Sequence, residues 1–226
     1  MTKKPLNLFF TNKCALCGKQ TSGALCSLCQ TPLRVLNFGL CQRCGKPVKS
    51  CICKDIGRAA IRIASAYKFE EPAVTSLIYK LKSKGNKRVV EFLSNAMLEK
   101  FELEYRDVSF DFVTFVPTSA LKLRQKGFDH ALLLAEKVAD RLSLPLALPP
   151  LKRRFGAAQK YLSKKVRRDN AVYAFKLCKN RSISGTVLLI DDVVTSGATL
   201  SACAELLSRA GADKVYCLTA ATTTKK

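Results

Sequence analysis

Residues 187–200 read Val-Leu-Leu-Ile-Asp-Asp-Val-Val-Thr-Ser-Gly-Ala-Thr-Leu, and they restrict the fold more than any other stretch of the chain. Four successive apolar residues describe a strand buried on both faces, the pattern of a parallel sheet covered by helices. Asp191 and Asp192 stand at its carboxyl end, followed by the small or hydroxyl-bearing Thr195, Ser196, Gly197, Ala198 and Thr199. A helical pattern then covers 198–209 and stops at Gly211, a suitable C-cap. In an open α/β sheet, ligands bind beyond the carboxyl ends of the strands. A turn of small residues leading into a helix offers backbone N–H groups to a phosphate. The two carboxylates repel that phosphate but suit hydroxyl groups or a hydrated Mg²⁺ beside it. Phosphate at one end and a diol at the other describe a ribose 5-phosphate. The bland alternative, a polar turn with no ligand, leaves two carboxylates at the end of a buried strand without a reason for their desolvation. A Walker-type loop is excluded because the Lys of its Gly-Lys-Ser/Thr ending is absent.

The rest of the C-terminal portion reads as α/β. Strands are expected over 61–67, 110–116 and 214–219, and helices over 71–81, 87–101 and 130–142, with Asp129 as N-cap of the last. Residues 144–150 read as an extended, proline-broken edge segment. The unit around 187–219 is expected to be a right-handed βαβ crossover. The fold class is therefore α/β, a mostly parallel sheet with flanking helices.

Eight of the eleven cysteines lie between Cys14 and Cys53. Cys14, Cys17, Cys26 and Cys29 form two CxxC pairs; Cys41, Cys44, Cys51 and Cys53 form a CxxC and a CxC. In a reducing compartment such clusters read as metal sites. Two knuckles supply the four sulfurs of a closed, structural Zn²⁺ shell. One ion or two, and sequential or crosswise pairing of the knuckles, remain open at this level. Residues 1–55 hold too few apolar side chains for a core of their own, so metal supplies most of their folding energy. A small Cys-rich zinc-ribbon module over 1–58 and an α/β domain over 59–226, able to stand without metal, are the expected units.

The chain of 226 residues carries 39 Lys/Arg against 17 Asp/Glu, a formal charge of +22. Two four-thiolate zinc sites leave that balance strongly basic. Basic residues concentrate in 1–60 and 152–181, and the second segment adds Phe155, Tyr161 and Tyr173 for stacking on bases. Such a field favours polyanions, single-stranded nucleic acid and pyrophosphate among them. No apolar run is long enough for a membrane span, and no secretory signal opens the chain, so the expected location is cytoplasmic.

The uninterrupted Asp191-Asp192-Val193-Val194-Thr195-Ser196-Gly197-Ala198-Thr199 resembles the phosphoribosyl pyrophosphate loop of the type I phosphoribosyltransferases. Joined to a Cys-rich ribbon, the domain resembles the ComF family of competence-associated proteins over nearly the whole chain. The further residues carrying that likeness are Tyr67, Leu81-Lys82-Ser83-Lys84-Gly85, Pro117 and Arg124-Gln125-Lys126-Gly127-Phe128. They continue with Gln159, Leu162, Arg167 or Arg168, Asn170 and Phe175. Asp129-His130 departs from the family's Asn-Gln. His130 is the only histidine, and a lone histidine at a helix start is most simply a surface residue.

The resemblance implies phosphoribosyl pyrophosphate bound with Mg²⁺. Thr195, Ser196, Gly197, Ala198 and Thr199 would hold the 5-phosphate, and Asp191 and Asp192 the ribose hydroxyls. Lys82 and Arg124 would face the pyrophosphate. It also implies DNA uptake in natural transformation, single-stranded DNA as a ligand, and a competence helicase or other DNA-uptake proteins as partners. Turnover as a pyrophosphate-releasing phosphoribosyltransferase with an unassigned acceptor, and non-catalytic sensing of the ligand by a nucleic-acid-binding protein, both remain open.

Overall fold

In the computed structural model, residues 12–37, 39–54, 56–154, 174–178 and 182–224 are described. Four strands form one sheet: β1 (Ala60–Lys68), β2 (Phe112–Phe115), β5 (Thr186–Val194) and β6 (Lys214–Thr222), in the order β1-β6-β5-β2 and all parallel. A separate antiparallel pair joins β3 (Leu151–Arg153) to β4 (Phe175–Leu177). The α/β class and parallel sheet expected from the sequence are therefore found. β5 continues through Asp191 and Asp192 to Val194, so the acids lie inside the strand rather than just past it. The expected edge strand at 144–150 amounts to one bridge between Leu146 and Val113.

Local chemistry sets the helix ends. A four-residue turn of helix, α1 (Ser27–Gln30), lies in the ribbon. Helix α2 (Pro72–Lys84) has proline at its start and ends at Gly85 with φ 54°. Helix α3 (Lys87–Tyr105) is capped by the Asn86 side chain, which accepts from the Arg88 and Val89 N–H groups. A short helix, α4 (Ala120–Lys126), follows β2 with Ser119 as its cap; sequence reasoning did not find it. Helix α5 (His130–Leu142) is capped by Asp129, and α6 (Ala198–Arg209) opens at Gly197. No helix among the described residues is long and apolar enough to cross a membrane.

Successive residues of a strand face opposite sides of the sheet, so β5 seeds two cores. Leu188 and Ile190 join α2, α3 and α5 on one face, while Val187 and Leu189 join α6 and the β3–β4 pair on the other. The ribbon contributes to both. Cys14, Leu25 and Leu33 pack into the first core, and Cys44, Ile52 and Ile56 into the second.

Hydrogen bonds follow the same division. Arg88 of α3 donates to the carbonyls of Gly23 and Lys13, and Lys80 of α2 to that of Ala15. Lys100, wholly buried on α3, donates to the Leu36 carbonyl and pairs with Glu104. At the other end, buried Lys46 donates to the Thr223 carbonyl at 2.7 Å, and Ser50 donates to that of Thr224.

Candidate functional site

The two clusters of four cysteines form in sequence order: Cys14, Cys17, Cys26 and Cys29 in one, Cys41, Cys44, Cys51 and Cys53 in the other, the sulfurs of each within 4.8 Å of one another. This resolves the pairing left open by the sequence, and the crosswise arrangement is not found. Glycines at positive φ, Gly18 at 77° and Gly45 at 65°, turn the chain after each first knuckle. Sulfur separations of 3.6 Å for Cys17–Cys26, 3.5 Å for Cys41–Cys53 and 3.7 Å for Cys44–Cys51 suit one small tetrahedral ion. Four sulfurs about 2.3 Å from a Zn²⁺ stand about 3.8 Å apart.

Burial works to raise the Cys14 thiol, but hydrogen bonds from the backbone N–H groups of Cys17, Cys26 and Leu16 outweigh it and bring it to about 6. Cys41 is likewise brought to about 6 against burial, by the backbone at Cys44 and Arg43. In the same clusters other thiols move the opposite way: Cys29 is raised to about 12 by its neighbouring sulfurs, Cys17 first, and Cys53 to about 12 by burial. Both clusters fit structural zinc, with no position left for a substrate.

The second site lies at the carboxyl end of the sheet. Asp191 and Asp192 stand at alternate positions of β5, yet a carboxylate oxygen of each and a nitrogen of His130 lie within 4.8 Å of one another. Asp192 meets α2 and α5: its Oδ2 lies 2.9 Å from Lys82 Nζ and 3.2 Å from His130 Nε2. Those are ion-pairing distances, so the buried Asp192 Oδ2 is compensated by the Lys82 ammonium, although no strictly aligned hydrogen bond reaches it among the described residues. Asp191 accepts the Asp192 N–H at 2.9 Å through Oδ1. Burial, together with the Asp192 charge, pushes its carboxyl well above the usual carboxylate range.

Val194 ends β5, and Thr195 and Ser196 are exposed where the loop begins. Gly197 then turns it at φ 74°, and α6 starts at Ala198, whose N–H donates to Ser196 Oγ at 3.4 Å. Thr199 lines a cleft of about 220 Å³ with both aspartates and Lys82. Five cations reach this cleft or its wall: Lys82, Lys122, Lys126, Arg153 and, when protonated, His130. Burial holds the His130 imidazole below its ordinary range despite the facing Asp192 and Asp129.

Some placements differ from the expectation. Lys82 lines the cleft with the acids, whereas Arg124 is exposed on α4 and lies outside the lining. Lys122 and Lys126 line it instead, since positions four apart share a helix face and position 124 falls on the other. The Ser119 cap was the signal that could have revealed α4 and hence that face. His130 is not the surface residue expected of it; its side chain is 20% exposed and stands against Asp192. Its predecessor explains the position: Asp129 accepts the Ala131 N–H through Oδ1 and the Thr118 N–H through Oδ2, fixing the start of α5 against the end of β2. Phe155, Gln159, Tyr161, Leu162, Arg167, Arg168, Asn170 and Tyr173 lie outside the described residues, as does most of the basic segment 152–181.

Comparison with known families agrees with this geometry. Residues 5–59 match the double zinc ribbon domain, and residues 129–226 match the phosphoribosyl transferase domain. The chain thus joins a double zinc ribbon to a phosphoribosyl transferase domain. It is 27% identical over 224 residues to the DNA utilization protein YhgH of Salmonella typhimurium, covering 88% of this chain and 97% of that protein. It is 25% identical over 197 residues to the competence protein ComFC of Bacillus subtilis, covering 83% and 79%. Among solved structures, an adenine phosphoribosyltransferase is similar at a TM-score of 0.40 and 15% identity over 65% of this chain and 74% of its own. That last likeness is too loose to carry weight beside the strand order and the loop described above.

Proposed function

We propose that the chain binds phosphoribosyl pyrophosphate at the carboxyl end of β5 and serves DNA uptake in natural transformation from the cytoplasmic side. The observation that carries the ligand is the junction of β5 and α6. Two adjacent buried carboxylates, one of them paired with Lys82, lead within five residues to a helix N-terminus at a positive-φ glycine. In this reading residues 195–199 hold the 5-phosphate through backbone N–H groups and hydroxyls. Asp191 and Asp192 accept the ribose hydroxyls, and Lys82, Lys122, Lys126 and Arg153 balance the pyrophosphate. Mg²⁺ arriving with the ligand would supply further neutralisation of that pyrophosphate. The role of the chain is then to position the anomeric carbon and to neutralise charge. Structural zinc, one ion per cluster, completes the ribbon.

The DNA part of the proposal rests on different support: the basic balance of the chain and the named roles of its relatives in DNA utilization and competence. Single-stranded DNA is the expected polyanion, and a competence helicase or other uptake proteins are the expected partners. Phosphate contacts release counterions, so affinity for single-stranded DNA should fall steeply with salt.

One experiment separates the enzymatic from the non-catalytic form. Pyrophosphate release is measured with phosphoribosyl pyrophosphate, Mg²⁺ and a panel of nucleobases. Release with one acceptor assigns a phosphoribosyltransferase. Saturable ligand binding and DNA binding with no release assign a ligand-sensing DNA protein. Absence of ligand binding removes the proposal altogether.

A further inference from the structure

Gly197 turns the 195–199 loop into α6, and the space that a side chain would fill there is already taken. A Cβ at this position would lie 2.5 Å from Ile56 Cγ2 and 2.8 Å from Ile52 Cδ1. Both isoleucines come from the second knuckle of the ribbon. Ile52 sits between the ligands Cys51 and Cys53, and Ile56 follows three residues after Cys53. They share an apolar cluster with Val194 and Leu200, which flank the loop, and with Ala198 inside it.

Polar contacts hold the same surfaces together. The Gly57 N–H donates to Ser201 Oγ in the first turn of α6 at 2.7 Å. Arg43, between Cys41 and Cys44, donates to the carbonyls of Gly57 at 2.6 Å and Cys53 at 3.2 Å. Residues 51–54, 56 and 57 are thus fixed to the cysteine cluster on one side and to the loop on the other. The first knuckle has no counterpart to this contact among the described residues; it rests on α2 and α3.

We propose that the second cysteine knuckle is a wall of the phosphate site, with Ile52 and Ile56 as positioning residues that keep the 195–199 loop in its anion-receiving shape. The proposal rests on the reading of that loop as a phosphate binder. Helix N–H groups bind an anion well only when they are already arranged for it, because ordering them on binding costs affinity. Metal occupancy at Cys41, Cys44, Cys51 and Cys53 and affinity for a phosphate ligand therefore rise and fall together, and the coupling is reciprocal. Cys14, Cys17, Cys26 and Cys29 stand outside it.

The test uses the full-length, zinc-loaded chain in three variants: Ile52→Ala with Ile56→Ala, Ile52→Val with Ile56→Val, and Leu25→Ala with Leu33→Ala as a control that removes apolar burial from the first knuckle. Two readouts are taken: amide hydrogen exchange over 195–201 without ligand, and calorimetric titration with phosphoribosyl pyrophosphate and Mg²⁺. The alanine pair at 52 and 56 is expected to speed exchange in the loop by about tenfold and to weaken the ligand by a similar factor. The valine pair is expected to recover most of both, and the Leu25/Leu33 control to leave both at the wild-type value. Unchanged loop exchange in the alanine pair, or an equal change in the control, overturns the proposal. If the wild type shows no ligand binding while loop exchange still answers to positions 52 and 56, the phosphate reading falls and the contact between knuckle and loop stands. Should the alanine pair not fold, the valine pair carries the same comparison against the control at about a threefold effect.

Discussion

The two halves of the ribbon present the same donor, four cysteine sulfurs, to opposite sides of one sheet. Cys14, Cys17, Cys26 and Cys29 stand against α2 and α3, in the core shared with Leu188 and Ile190. Cys41, Cys44, Cys51 and Cys53 stand against α6 and the end of β6, in the core shared with Val187 and Leu189. Each half is tied down by a buried lysine: Lys100 reaches up to the Leu36 carbonyl, and Lys46 reaches down to Thr223. Among the described residues, it is the second half that touches the loop at Gly197. The same chemistry therefore serves two purposes: one knuckle covers a helix pair, and the other closes the back of a candidate binding loop.

The largest expected effect comes from removing one zinc ligand in each half. Structural zinc in small modules is worth roughly 10–16 kcal/mol of apparent binding energy at neutral pH. Metal analysis should give two zinc ions for the wild type and about one each for Cys17→Ser and Cys44→Ser. Proteolysis should then nick the residues around the altered cluster in each variant, but loosen the 195–201 loop only in Cys44→Ser. Equal loosening in both variants would mean that the ribbon melts as one unit and would erase the comparison.

Next in size is Gly197→Ala. A non-glycine residue at this φ costs roughly 1–2 kcal/mol, and the new methyl meets Ile52 and Ile56 besides. Thermal unfolding should fall, and ligand affinity should fall further than stability alone explains. Pairing the change with Ile52→Ala should return part of the loss, because the added methyl then has room; no recovery would place the whole effect in the backbone.

A smaller net change is expected from Lys46→Met, which leaves the Thr223 carbonyl without its charged donor but also removes the cost of burying an ammonium. Hydrogen bonds to charged groups are worth about 1.5–3 kcal/mol. Burial already lowers the affinity of this ammonium for its proton, which offsets part of that figure. Urea unfolding of Lys46→Met and Lys100→Met side by side measures which half is held more firmly.

The smallest effect is on pH dependence. Burial and Asp192 raise the Asp191 carboxyl, so folding favours its protonated form. That contribution is whole in acid and is lost as pH rises through the raised value. Asp191→Asn should thus gain stability over the wild type as pH rises, while losing ligand affinity. His130 runs the other way: burial lowers it, so its contribution is present above about pH 6.5 and lost as pH falls through the lowered value. A stability difference between Asp191→Asn and wild type that stays flat with pH would show that Asp191 ionises freely.

Much of this was legible locally. The β5–loop–α6 junction could be read because a buried strand, adjacent acids and small turn residues each leave a mark in consecutive positions. The cysteine spacing did the same for the ribbon. What could not be read was contact across the chain. That Asp192 faces His130 and Lys82 follows from where α2 and α5 start and end against β5, which no local period encodes. Lys122 and Lys126 were hidden because seven residues of α4 are too few to show a helical repeat, so the arginine of a known motif drew attention instead. Ile52 and Ile56 read as ordinary apolar residues between cysteines until the fold brought Gly197 beneath them. β5 ran longer than expected because Asp191 and Val193 still pair with β6, and parallel hydrogen bonding does not stop at a change of side-chain polarity.

The central claim is that the acids of β5 and the loop behind them form one ligand site. Calorimetric titration of the zinc-loaded chain with phosphoribosyl pyrophosphate and Mg²⁺, beside the Asp191→Ala plus Asp192→Ala variant, tests it most directly. The account predicts saturable one-to-one binding by the wild type and a loss of at least about a hundredfold in the variant, the effect of some 2.7 kcal/mol. Equal affinity in the two proteins would contradict it.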